Sequence, residues 1–358
     1  MNESSAPRIE INLAKIAHNT EILMKLYRSK GIEITGVTKG ICGGLEIAEV
    51  FVNMGIKTIG DSKITNIIKM RKANINAEFM LLRIPGLSEI KSVVKYADIS
   101  LNSELSVIQS LSKYANKYNK RHKVILMVEM GDLREGIMPK DLHSFIEKVM
   151  TLPNIDIIGI GVNFACFGGV KPTNNKMRLL AELSQEVEKK HHLSLTYVSG
   201  GNSANYNWFM ESNNTMQVNN LRIGESLLLG RETLSRLPIP DLYTDAFTLV
   251  CEVIESKIKP SVPYGEIAQN SLGVTPQFQE RGNIRRLILG IGFQDVLVSG
   301  LTPILDLEIL GSSSDHTVLD AKNVNIQVGD EVTFSVNYGA MLSLMTSSNI
   351  HKKYLKMI

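Results

Sequence analysis

The chain has 358 residues, 44% hydrophobic and 21% charged, with a formal net charge of +3 at pH 7. That composition excludes a wholly disordered chain, and so weak a positive balance gives no footing to nucleic-acid binding. The three cysteines are too few for a disulfide scaffold, no apolar stretch approaches the roughly 20 residues of a membrane helix, and Met1–Pro7 lacks a leader pattern; a soluble cytoplasmic protein of about two domains is expected.

Pro7–Ile11 reads as a strand and Leu13–Ser29 as a helix, with no signal for the domain that the strand joins. From Ile32 onward, β-rich runs alternate with helical patterns. Ile32–Lys39 precedes Leu45–Met54, Lys57–Gly60 precedes Ile64–Lys72, and Glu78–Ile84 precedes Leu87–Tyr96. Ile99–Asn102 precedes Glu104–Tyr118, Lys123–Glu129 precedes Asp141–Met150, and Ile155–Phe164 precedes Lys176–His191. Thr196–Ser199 and Leu221–Ile223 complete eight strands. Their continuous apolar runs suit parallel strands buried on both faces. Eight such units in about 200 residues predict an α/β fold, a (β/α)8 TIM-type barrel. After Arg236 helical periodicity largely stops. Ala246–Ile258, Arg286–Ile291, Ile304–Leu310, Thr317–Asp320 and Glu331–Val336 read as strands between Gly, Ser and Asn turns. The expected division is a barrel domain over 1–236 and a C-terminal all-β domain over 237–358.

Barrel active sites gather at the carboxyl ends of the strands. Those positions hold Lys39, Asp61, Arg83, Asn102, Glu129 with Arg134 beyond it, Asn163, Ser199–Ser203 and Arg222–Glu225. A lysine in a barrel mouth is partly desolvated, which lowers its pKa and makes it a better amine nucleophile. The late turns Ser199-Gly200-Gly201-Asn202-Ser203 and Arg222-Ile223-Gly224-Glu225-Ser226 offer backbone N–H groups and a hydroxyl where barrels commonly bind phosphate. A reactive lysine on the first strand and a phosphate cup on the last two suggest pyridoxal 5'-phosphate. Cys42, Cys166 and Cys251 show no metal spacing, and Cys166 reads as a small buried hydrophobe.

In order along both domains, GVTKGICGG, MVEMGDLREG, GIGVNFACFGG, VSGGNSAN, LRIGESLLLGRE, PYGEIAQNSLG, RRLILGIGFQDV and GSSSDH resemble the alanine racemase superfamily of pyridoxal-phosphate enzymes, in its alanine/ornithine racemase branch. The resemblance implies a homodimeric racemase that interconverts L and D amino acids by two-base proton transfer. Ornithine is the first substrate expected; lysine, alanine and serine stay open. By the same resemblance Lys39 links the cofactor and acts as one base. Arg222 faces the pyridine nitrogen. Ser203 and the backbone at Gly224 and Glu225 hold phosphate, with Ser199 and Asn202 in the same turn and Tyr338 also reaching the phosphate. Tyr264 is the second base, contributed across the dimer, and Arg134 meets this phenol and the substrate carboxylate. Asp315 lies at the partner's site entrance.

The pattern also departs from the superfamily. Gly43 stands where a phosphate-holding tyrosine is usual, Met127 where a carbamylated lysine is usual, and Asn163 where a histidine stacks on the pyridine ring. The loss of bulk at Gly43 predicts room for a longer substrate. Asp315, Glu225 and Glu129 are candidates, without ranking, for holding a distal substrate amine. Two rivals share the barrel and the lysine: a decarboxylase of basic amino acids, and a non-catalytic pyridoxal-phosphate carrier. The first pairs the pyridine nitrogen with a carboxylate, whereas Arg222 carries only donors. The second usually lacks a β-domain.

Overall fold

The strand Arg8–Asn12 (β1) runs directly into the helix Leu13–Arg28. The structure, a computed structural model, describes residues 5–270 and 273–356. Eight further strands follow: β2 (Glu33–Val37), β3 (Thr58–Asp61), β4 (Glu78–Leu81), β5 (Ile99–Asn102), β6 (His122–Met127), β7 (Ile155–Gly161), β8 (Tyr197–Asn202) and β9 (Asn220–Ile223). Each pairs in parallel with the next, and β9 returns to β2, closing the barrel. The sequence places all eight because each is short, apolar and bounded by turn residues. Met80, Ile99, Leu101, Ile125 and Met127 form one apolar cluster inside it, with Leu82, Ile158 and Tyr197 packed against it.

The opposite wall is polar. Asn220 Nδ2 donates to Thr35 Oγ1 (3.0 Å), Ser199 Oγ donates to Asn220 Oδ1 (2.7 Å), and Arg222 Nη1 donates to Ser199 Oγ. Thr35, Asn220, Ser199 and Arg222 are all buried, so each group must find its partner within the protein. This column climbs from mid-barrel to the carboxyl ends of the strands and carries the arginine there.

The other unit holds β10 (Phe247–Pro260), β11 (Asn283–Leu289), β12 (Leu301–Pro303), β13 (Glu308–Ser312), β14 (Thr317–Asp320), β15 (Glu331–Val336), the helix Tyr338–Thr346 and β16 (His351–Leu355). Its sheet runs β12-β15-β10-β11-β14-β13, and β1 pairs antiparallel with β10 and parallel with β16. The barrel unit spans Lys15–Thr244, and the residues on either side, up to Ala14 and from Asp245, make up the second unit.

Both borders differ from the sequence reading for identifiable reasons. Ile9 and Ile11 are fully buried on one face of β1, and that face needs the sheet. Residues 237–244 stay with the barrel: Ile239 N donates to Gly230 O (2.9 Å), and Asn19 exchanges two hydrogen bonds with the Tyr243 backbone (both 2.8 Å). Pro238 and Pro240 mark the turn rather than the border. Three elements of this unit lack a sequence signal: β12, only three residues long; β16, whose run HKKYL has little apolar content; and the helix Tyr338–Thr346, which departs from the all-β expectation. Among the described residues, no helix is long and apolar enough to cross a membrane.

Candidate active site

β2 ends at Val37, and Lys39 opens a 3-10 turn at its carboxyl end. Lys39 is exposed toward the barrel mouth, but protein crowds its remaining sides. Burial lowers its pKa below the usual lysine value; Cys166 and Asp61 oppose the shift, and Arg134 and Arg222 reinforce it. Five side chains from different strands and loops thus share one electrostatic environment. Asp61, at the end of β3 and fully buried, accepts from Thr38 Oγ1 (2.8 Å), Lys63 N (2.9 Å) and Asn66 Nδ2 (3.0 Å). Its carboxylate thereby fixes the residue just before Lys39. At Gly43 a Cβ would lie 2.9 Å from Asn66 Cβ. The space expected there for a longer substrate is occupied by Asn66.

Arg222 is 5% exposed. Its Nη1 donates to Ser199 Oγ and its Nη2 to Val162 O at 2.6 Å. Both acceptors are neutral. Burial lowers its pKa to about 10, against the raising influence of Glu135 and with that of Arg134. Beside it, Asn202 Nδ2 donates to Asn163 Oδ1 (3.1 Å) and Phe164 O (2.8 Å), while Asn202 Oδ1 accepts from Ala204 N (2.8 Å). Asn163 Nδ2 is buried and has no hydrogen-bond partner, a donor left over at the mouth.

Ser203, also buried, receives the N–H groups of Gly224 and Ser226 on its Oγ, each at 3.4 Å. Bonds of that length engage the donors only weakly, so they remain available to an anion. Packing at Gly224 is tight: a Cβ there would lie 3.1 Å from Val37 Cβ and 3.3 Å from Val37 O. Glu225 bonds Arg236 through its carboxylate; burial raises its pKa, against the influence of Arg236 and Lys39. That carboxylate is already committed.

The loop after β6 is pinned at both ends. Ile137 N donates to Met127 O (2.8 Å), and Glu129 N to Ile137 O (2.9 Å). Glu129 is buried and accepts from Gly131 N and Leu133 N, so its role is to shape the loop, not to meet a ligand amine. Asp132, 2% exposed, accepts from Cys166 N, Phe167 N and Val170 N and ties the loop after β7 to this one. The tie brings Arg134 Nη1 to Cys166 Sγ at 2.6 Å. Cys166 is exposed, not the buried hydrophobe its sequence context suggested. Arg134 also bonds Glu135 through Nε and Nη2, and that bond is the main cause raising its pKa.

The structure therefore gathers Lys39, Arg134, Asn163, Ser199, Asn202, Ser203, Arg222, Gly224 and Glu225 at the carboxyl ends of the barrel strands. Arg83 and Asn102 have other partners: Arg83 pairs with Glu89 (2.7 Å), and the Asn102 amide bonds Ser100. Tyr264, Asp315 and Tyr338 belong to the second unit. Tyr264 is 92% exposed in a stretch without regular secondary structure, and Ser271 and Leu272 of its motif lie outside the described residues. Asp315 is exposed and bonds His316 Nδ1 at 2.8 Å, which lowers its pKa. Tyr338 opens a helix whose Asn337 cap accepts from Ala340 N (3.0 Å).

Sequence reasoning passed over Asp132 and Glu135. Asp132 and Glu135 do flank Arg134 in a GDLREG run, and two carboxylates around one arginine are a readable signal. The fold is a (β/α)8 barrel whose strand ends bring together a lysine of lowered pKa, a buried arginine and weakly engaged backbone N–H groups. The pattern of the alanine racemase N-terminal domain matches residues 11–232. The chain is 41% identical to ornithine racemase of Acetoanaerobium sticklandii over 98% of this chain and 99% of that protein. It is 36% identical to lysine racemase of Thermotoga maritima, over 97% and 98%. The chain belongs to the alanine racemase family. Among solved structures, alanine racemase of Clostridium difficile 630 superposes with a TM-score of 0.74 at 18% identity, over 98% of this chain and 96% of that one. Alanine racemase of Bartonella henselae, with covalently bound pyridoxal phosphate, gives 0.72 at 18% identity, over 98% and 100%. Both show the shared fold.

Proposed function

We propose that this chain is a pyridoxal-phosphate-dependent racemase of basic amino acids, with ornithine its first substrate. The observation that carries the reading is one cluster: Lys39 with a lowered pKa, beside a buried Arg222 and the Ser203–Gly224 anion cup. Full-length likeness to an ornithine racemase and a lysine racemase supports the substrate class.

The donor set fits the cofactor. Ser203 and the N–H groups at Gly224 and Glu225 would hold its phosphate. Arg222 would meet the pyridine nitrogen. The unsatisfied Asn163 Nδ2 is a further donor. Ser199 and Val162 O fix the Arg222 guanidinium, while Asn202 fixes Asn163. When bound, the cofactor supplies an electron-withdrawing ring that acidifies the α-hydrogen of an attached amino acid.

The protein's own groups then move protons. Lys39 Nζ serves one face of the substrate α-carbon and the Tyr264 phenol the other; inversion needs a base on each face. Arg134 binds the substrate carboxylate. Exposure of Tyr264 suits delivery into another subunit's site, so the working form is a homodimer, with Asp315 at the partner's entrance.

Arg222 bonds neutral oxygens and carries only donors, which leaves a nitrogen facing it unprotonated. That disfavours long-lived carbanions and therefore the decarboxylase reading. The test is optical rotation of L-ornithine with purified protein and pyridoxal phosphate, followed by chiral analysis. Rotation decaying to zero with both enantiomers recovered supports the proposal. Conversion to a diamine supports the decarboxylase. No change with ornithine, lysine, alanine or serine refutes the racemase.

A further inference from the structure

Arg134 is held in an unusual way for a substrate-binding arginine: its nearest carboxylate is the next residue. Glu135 takes the side-on edge of the guanidinium, receiving Nε on Oε2 and Nη2 on Oε1. Nη1 reaches Cys166 Sγ at 2.6 Å. A guanidinium has five N–H groups. With these contacts made, one N–H on Nη1 and one on Nη2 remain for another acceptor.

Glu135 is itself presented rigidly. Its side chain is 17% exposed. The next residue, Gly136, has φ +147, and a Cβ there would lie 2.4 Å from Glu129 N, so the chain passes against its own loop with no room for adjustment. Ile137 then pairs with Met127 and Glu129. Glu135 also acts on Arg222, where it opposes the lowering caused by burial and by Arg134. One carboxylate therefore sits among the cations of the mouth.

We propose that Glu135 is the positioning residue for Arg134. It fixes the guanidinium plane by its side-on edge, presents the two free N–H groups to the α-carboxylate of the substrate, and keeps Arg134 and Arg222 from repelling each other out of register. The assignment rests on the reading that Arg134 meets the substrate carboxylate. A planar guanidinium held by a second carboxylate is pre-organised, so less rotamer freedom is lost when substrate binds. Without Glu135 the side chain swings free of both Cys166 and the substrate position.

The test uses the holoenzyme and the variants E135A, E135Q and E135D. In E135A, KM for L-ornithine rises about tenfold, the scale of one charge-assisted contact, while kcat changes less; E135D recovers part of the loss, and near-isosteric E135Q guards against misfolding. A second readout needs no turnover: the Kd of acetate, a bare carboxylate, titrated calorimetrically into each holoenzyme. Positioning predicts a Kd raised about tenfold in E135A and E135Q, with E135D between them and wild type. An acetate Kd within about twofold of wild type in E135A and E135Q overturns the proposal. Wild-type protein that racemises no amino acid refutes the racemase reading instead, and acetate binding still decides the role of Glu135.

Discussion

Asp132 is the residue whose loss separates loop order from chemistry. It is 2% exposed, and its carboxylate accepts from Phe167 N at 3.0 Å and from Cys166 N and Val170 N at 3.3 Å each. In Asp132→Ala these donors lose their acceptor. Two of the three bonds are long, so about 1 kcal/mol apiece is a fair charge, about 3 kcal/mol together. That is roughly a 150-fold change in the balance between a held and a released β7 loop. Gly168, where a Cβ would lie 2.7 Å from the backbone O of Asp132, packs on main chain that the substitution leaves in place. The hydrophobic cluster of the barrel is untouched, so the thermal midpoint falls by less than about 5 °C. The expected result is kcat/KM for L-ornithine reduced by one to two orders of magnitude (about 10- to 100-fold), with new protease cleavage within residues 163–170. Activity within twofold of wild type (about the error of such a comparison) and unchanged cleavage would refute the clamp.

Other outcomes follow from the same geometry. In cofactor-free protein, burial holds Lys39 below the usual lysine pKa, so its labelling by an aldehyde or acylating reagent has a midpoint lower in pH than that of exposed lysines. Because Asp61 raises Lys39 and Arg134 lowers it, D61N moves that midpoint down and R134A moves it up; opposite signs would contradict the electrostatic picture. Gly201 has φ +137, and a Cβ would lie 2.2 Å from Asn205 Oδ1, so Gly201→Ala weakens cofactor retention, read by dialysis and absorbance; undiminished retention counts against the cup. Mixing inactive K39A and Y264F proteins restores about a quarter of wild-type activity on subunit exchange, because half of randomly formed dimers are hybrids with one intact site. If Tyr264 served its own chain, the mixture would stay inactive.

The barrel was legible because every strand couples an apolar run to a turn at its carboxyl end, a signal written locally. Lys39, Ser203 and Arg222 were legible for the same reason: each stands at the end of its strand. Asp132 was not, because its partners Cys166, Phe167 and Val170 lie beyond the next strand, and only closure of the barrel brings them near. Glu129 and Glu225 looked like free carboxylates until the loop amides and Arg236 were found on them. The domain borders were misplaced because a hydrogen bond from Asn19 to Tyr243 outweighs the punctuation of two prolines. The edge strand β16 depends on pairing with β1, from the opposite end of the chain.

The most direct test of the two-base account is exchange of the α-hydrogen in heavy water. L- and D-ornithine are incubated separately with Y264F holoenzyme, and deuterium at the α-carbon is measured in the recovered enantiomers. With Lys39 serving one face and Tyr264 the other, one enantiomer still exchanges its α-hydrogen, the other does not, and racemisation is lost. Exchange of both enantiomers at wild-type rates, with racemisation intact, would contradict the assignment of Tyr264 as the second base.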